Sequence, residues 1–250
     1  MYKPEYKIGK NGVPYLTKKE MDEIAEGFIC DFCPEAMSTP MQIDIDSFAQ
    51  NYLGLKQDFQ YLSHNGVYLG MTVFNDTDKV VIFNPDKWKA DYISAEARTI
   101  IIDNNLLEEN QEHRYRFTMG HECGHDIYHT QYFGYAPDQM SLLEDREPMI
   151  KCRIVNTNSN KKPAVWDDKS TMEWQANYFA SALLMPKPMV IKVIEDDDKN
   201  FKNVVFRGFD ISNYDIKVIL ISRKFNVSEE AARYRLQGLG LIGNSNQLKI

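Results

Sequence analysis

Three of the five histidines of this 250-residue chain lie within nine positions, at His121, His125 and His129. The first two belong to His121-Glu122-Cys123-Gly124-His125, an H-E-x-x-H array. On a helix, residues i and i+4 project from one face a turn apart, so both imidazoles can reach one metal ion. Neutral imidazole suits Zn²⁺, and a bound zinc lowers the pKa of a water from ~15.7 toward ~7. Glu122, next to the first ligand, is placed to take that water's proton. Together these residue types make a hydroxide nucleophile at neutral pH. The bland alternative is a helix that carries two histidines and a glutamate on its surface.

A catalytic zinc site takes three protein ligands and keeps one position open, so a third must be found. The metzincin pattern needs Gly and His where this chain has Tyr128 and Gln131, and it fails. The other common arrangement draws a carboxylate from a later helix, and Glu173 opens such a segment, Glu173-Trp-Gln-Ala-Asn-Tyr-Phe-Ala-Ser-Ala-Leu-Leu-Met-Pro186. Ser170-Thr-Met-Glu173 also reads as a capping box, which would occupy Glu173 without a metal. Spacing alone leaves these two readings even. Ala176, Phe179, Ala180 and Leu183 form an apolar face that begins at Glu173 and should pack on the His121 helix.

Arg116-Phe-Thr-Met-Gly-His-Glu-Cys-Gly-His125, followed by Glu173-x-x-Ala-Asn-x-Phe-Ala-x-x-Leu-Leu-Met-Pro186, resembles the ImmA/IrrE family of bacterial and phage-associated metallopeptidases. The two motifs together are far more specific than H-E-x-x-H alone. The resemblance covers residues 38–190 well and Phe225–Leu236 more loosely. It implies a zincin-like domain with His121, His125 and Glu173 as ligands of one Zn²⁺ per chain and Glu122 as general base. It also implies a protein substrate, a helix-turn-helix repressor of a mobile element or stress response. The stretch from 126 to 172 is longer than compact members of the family need. Further candidates for transition-state or supporting roles are His129, one turn beyond His125, together with Asn177 and Tyr178, since amide and hydroxyl groups can stabilise an oxyanion. Asn177, four residues past Glu173, has the simpler reading of a brace for that carboxylate.

Composition bounds the remaining possibilities. With 43% hydrophobic and 12% aromatic residues the chain can bury a real core. No apolar run approaches the ~18 residues of a membrane span, and Met1–Lys7 has no signal-peptide core, so a cytoplasmic protein is expected. A net charge of -7 argues against phosphate-driven nucleic-acid binding. Cys30, Cys33, Cys123 and Cys152 read as reduced thiols. The lone Cys30-Asp-Phe-Cys33 pair packs at a helix end, and Cys123 points away from the two histidines.

The expected fold is α+β: a zincin-like domain over 38–190 with a small sheet on the motif helix, preceded by an arm and helix over 1–37 and followed by a helical segment over 191–250. Residues 1–16 read as an extended arm, Thr17–Glu20 as a capping box for a helix to about Cys30, and Ile43–Leu53 as a second helix ending at Gly54. Phe59–Ser63 and Val67–Phe74 flank Asn65-Gly66 as a hairpin. Lys79–Phe83 and Arg98–Ile102 are further strands, and 108–130 is the motif helix. An insert over 131–168, centred on Asp138–Lys169, holds the short strand Lys151–Val155. A short helix from Pro188 to Ile194 precedes the solvated acidic turn Glu195–Asp198. Two last helices, Tyr214–Phe225 and Ser228–Gln237, have helix-turn-helix spacing, with Arg233 and Arg235 adding positive charge. Besides the enzyme, two other classes remain open: a non-catalytic zinc scaffold that binds or senses a partner, and a direct DNA-binding regulator acting through 214–238.

Overall fold

The computed structural model describes residues 1–134, 149–153, 167–201 and 213–243. The chain begins with an arm that has no regular element beyond an Ile8–Pro14 bridge. Helix α1 (Lys18–Phe32) starts at the Thr17–Glu20 capping box and ends before Pro34, as its residues require. A short helix α2 (Ile45–Ser47), capped by Asp44, runs into a π turn over Phe48–Tyr52 and stops before Gly54, whose φ of 70° needs no side chain. Strands β1 (Lys56–Gln60), β2 (Tyr68–Val73), β3 (Thr77–Asn84), β4 (Lys89–Ala95) and β5 (Thr99–Asp103) follow. Helix α3 (Glu112–Phe133) carries the H-E-x-x-H array. Strand β6 (Met149–Arg153) and helices α4 (Asp168–Leu184), α5 (Lys187–Phe201), α6 (Asn213–Phe225) and α7 (Glu229–Gly238) complete the described chain.

The main sheet has the order β1-β5-β2-β6, and β3 and β4 form a separate two-stranded sheet. Within β5 the side chains alternate: Ile100 and Ile102 join the core beneath the helices, while Ile101 joins Met71, Val73 and Val80 on the other face. The same alternation turns Gly70 and Thr72 toward α3. Partners across an antiparallel pair share a face, so Cys152, opposite Gly70, and Ile150, opposite Thr72, look the same way.

Several expectations change. The Asn65-Gly66 turn forms, with Gly66 at φ 65°, but its flanking strands do not pair. β1 runs parallel to β5, and β5 lies between β1 and β2. The turn sets only local geometry. Central position goes to β5, which is buried along its whole length. The β3–β4 hairpin pairs a foreseen strand with Lys89–Ala95, which was not foreseen. Strand β6, read as part of an insert, is the fourth strand of the main sheet, and most of that insert (135–148 and 154–166) lies outside the described residues. The acidic run at 195–198 continues helix α5 instead of forming a turn.

Helix α3 sits between the sheet and α4 and is buried on both sides. Its approach to α4 depends on Gly120 and Gly124. A Cβ at Gly120 would lie 3.3 Å from Ala180 Cβ, and one at Gly124 would lie 3.1 Å from Ala176 Cα. Small residues at i and i+4 on both helices let the backbones close, and the closure brings Glu173 to the two histidines. Gly124→Ala should therefore destabilise the protein by about 1 kcal/mol, since overpacking of ~1–3 kcal/mol is partly offset by ~1 kcal/mol of helix propensity. Urea melts measure this, and a more stable variant would show that the helices part without strain.

The terminal helices pack onto this frame. Arg235 of α7 is buried, donating to Asp22 of α1 at 2.7 Å and to the Met185 carbonyl at 3.0 Å. The positive charge anticipated on a DNA-facing helix is thus turned inward at this residue. No described helix is long and apolar enough to cross a membrane.

Candidate metal centre

Glu173 is not a capping residue. Asp167 caps α4 by accepting from the Ser170 amide, which places Glu173 on the next turn. Its two carboxylate oxygens each lie 3.5 Å from a histidine nitrogen, Oε2 from His121 Nε2 and Oε1 from His125 Nε2. The two Nε2 atoms are themselves 2.9 Å apart. These separations bracket the roughly 3.3 Å between neighbouring donors around a tetrahedral zinc with ligand distances of ~2.0–2.1 Å. His121 and His125 are buried, whereas the Glu173 side chain is 27% exposed and marks the open side.

The electrostatics fit a cation as well. His121 Nδ1 is 3.0 Å from Asn177 Oδ1, an acceptor, which leaves the His121 Nε2 lone pair facing His125 and Glu173. Burial pushes His121 down to about 4, aided by the neighbouring His125, and pushes His125 down to about 3. Two neutral imidazoles and a carboxylate converging at these distances are a set of lone pairs that a divalent ion satisfies. The residues present fit a zinc ion.

Glu122 projects from α3 toward the sheet, where Gly70 makes room for it: a Cβ there would come within 2.5 Å of Glu122 Oε1. Thr72 donates to Glu122 Oε2 at 2.6 Å. The other oxygen, Oε1, is buried without a hydrogen-bond partner among the described residues. Burial raises the carboxyl well above its ordinary range, against the pull of the Thr72 hydrogen bond. A carboxylate with one oxygen anchored and the other bare is poised to take a proton.

The remaining candidates divide. Asn177 reaches His121 rather than Glu173. His129 lies behind His125, not in the cleft, its Nδ1 2.8 Å from His125 Nδ1. Tyr178 lies apart from the centre, donating to Asp22 at 3.0 Å, with the Arg235 guanidinium over its ring. Cys123 packs in the core, as expected from its helix face. Three residues were missed. Gln175 accepts from His129, Thr72 anchors Glu122, and Cys152 brings its thiol within 4.8 Å of donor atoms of His121 and Glu122. A third histidine at i+4 was the available signal for Gln175, but only the packing of α3 on α4 names the partner. Thr72 and Cys152 come from strands whose register the sequence does not disclose.

No curated protein matches the chain. The model of the IrrE N-terminal-like domain, Peptidase_M78, matches residues 75–237, which include α3, β6 and α4. With well over half of its length inside that match, and with the paired histidines and Glu173 converging within it, the chain belongs to the Peptidase_M78 family.

Proposed function

We propose that this protein is a zinc-dependent endopeptidase whose substrate is another protein, in keeping with the family to which it belongs. The observation that carries this reading is the convergence of His121, His125 and Glu173 beside a buried carboxylate, Glu122, with one bare oxygen. His121 and His125 would hold the ion through Nε2 and Glu173 through its carboxylate. When bound, zinc supplies Lewis acidity to a water and to the scissile carbonyl. Glu122 takes the water's proton on Oε1 while Thr72 holds Oε2, and then passes that proton to the departing amine. Asn177 keeps the His121 ring turned so that Nε2 faces the centre.

The substrate proposed is a helix-turn-helix repressor of a mobile element or stress response, and the compartment is the cytoplasm. This makes the enzyme a regulatory protease with narrow specificity and little action on generic peptides. The buried Asp22–Arg235 pair ties α7 into the fold, which favours this reading over DNA binding through α6 and α7.

Elemental mass spectrometry of the purified wild type, His121→Ala and Glu173→Ala proteins tests the centre. About one zinc per chain is expected in the wild type, with loss or marked weakening in both variants. A wild-type protein that takes up no metal on reconstitution would overturn the reading. Loss in the His121 variant alone would remove Glu173 from the ligand set.

A further inference from the structure

Behind His125 runs a chain of hydrogen bonds whose directions can be read without ambiguity. It starts at the arm. The carbonyl oxygen of Pro14 can only accept, and Gln175 Nε2 lies 2.7 Å from it, so the amide nitrogen of Gln175 faces the arm. Its oxygen, Oε1, therefore faces the other way and lies 2.9 Å from His129 Nε2. An amide oxygen only accepts, so His129 Nε2 carries the hydrogen. His129 is wholly buried and meets only neutral partners through its ring nitrogens, so it holds a single ring proton, and Nδ1 is a lone pair. That lone pair is 2.8 Å from His125 Nδ1, which must then supply the hydrogen. What remains on His125 is an Nε2 lone pair facing His121 and Glu173.

We infer that His129 and Gln175 are positioning residues: keyed by the Pro14 carbonyl, they hold His125 in the Nδ1–H tautomer and present its Nε2 lone pair to the metal. The reverse polarity fails at the arm, where an amide oxygen would face the Pro14 carbonyl oxygen with no hydrogen between them. A buried polar chain of this kind is costly unless every member is satisfied, and here each link is made. The arm thereby becomes part of the centre. His121 has the shorter counterpart, one bond to Asn177. The consequence for metal binding rests on the zinc reading above, but the tautomers themselves do not.

Two measurements on the full chain separate these. Long-range ¹H–¹⁵N correlation spectra of the metal-free wild type at neutral pH should show His129 protonated on Nε2 and His125 protonated on Nδ1. Zinc affinity, measured by competition with a chromophoric chelator, should fall about 10- to 100-fold in Gln175→Leu, with the His125 tautomer becoming mixed. Gln175→Glu should restore both, because a protonated carboxyl donates to the Pro14 carbonyl and accepts from His129 as the amide does. Circular dichroism of each metal-free variant reports that the fold is retained. His125 protonated on Nε2 in the wild type would overturn the inference, as would a folded Gln175→Leu protein with unchanged tautomers and unchanged zinc affinity. Wild-type tautomers as stated in a chain that takes up no zinc would support the hydrogen-bond chain and sink the metal reading instead.

Discussion

Replacing Glu122 by Gln is expected to slow cleavage of the protein substrate by about 10³-fold, within the 10²–10⁴ typical of a lost general base, and to leave the zinc content unchanged. The substitution keeps shape and volume in a place where both are tightly constrained. The side chain fills the space that Gly70 leaves open, and the Thr72 hydroxyl can donate to an amide oxygen as it does to Oε2. What changes is the group at Oε1, where a bare acceptor becomes an NH₂ that cannot take a proton. The proposed ligands, His121, His125 and Glu173, keep all their donor atoms, so the metal content is expected to stay. The loss corresponds to roughly 4 kcal/mol of transition-state stabilisation. The measurement pairs the rate of product formation, by intact mass spectrometry of a repressor substrate, with elemental analysis of the same sample. A zinc-loaded Glu122→Gln protein that cleaves at the wild-type rate would remove Glu122 from the role of base. An equal loss of zinc and activity would make it a structural neighbour of the centre.

How far the sequence foretold the molecule depends on whether the information was local. The histidine pair, Glu122 and the helix that carries them are local in the chain, because i and i+4 on a helix is a rigid relation. Glu173 was legible as a candidate, but its competition with the Ser170 capping box could be settled only by the helix start, which Asp167 sets. The same limit appears in the sheet. Asn65-Gly66 specifies a turn, yet which strands become neighbours is decided by burial, and β5, with all five residues buried, takes the place beside β2. β4 escaped notice because Lys89-Ala-Asp-Tyr-Ile-Ser-Ala95 is largely exposed and carries a weak apolar pattern. Arg235 shows the converse. A lone basic residue on a C-terminal helix reads as surface charge until its partner, Asp22, is brought from far away in the chain. The spacing of His129 makes it a candidate for a transition-state or supporting role, and the packing of α4 decides between them by placing it behind His125 and giving it Gln175.

Acid should destabilise the metal-free protein, and the size of the effect follows from the same buried rings. His121 and His125 are held at about 4 and about 3 by burial, and burial also takes His129 well below the ordinary value near 6.5. As the pH falls through ~6.5 the unfolded chain binds a proton at each ring while the folded protein does not, so the unfolded state gains protons and stability is lost toward pH 4. Glu122 acts in the opposite sense. Its folded-state pKa is raised, so the folded protein retains a proton that the unfolded chain releases above ~4.5, and one of the three histidine contributions is offset as the pH drops. Two net protons at ~1.36 kcal/mol per unit each, acting mainly below pH 6.5, give a loss of roughly 2–4 kcal/mol between pH 7.5 and pH 5. Urea midpoints of chelator-treated protein at pH 7.5, 6 and 5 should fall in that order. Saturating zinc should raise the midpoint at pH 7.5 and still raise it at pH 5, because rings held at about 4 and about 3 keep their lone pairs free in the folded site at both values, while protons block the same rings in the unfolded chain. A midpoint that stays level or climbs as the solution is acidified would mean that the three rings take up protons in the folded state, and the hydrogen-bond chain from Pro14 to His125 would then not be closed in solution.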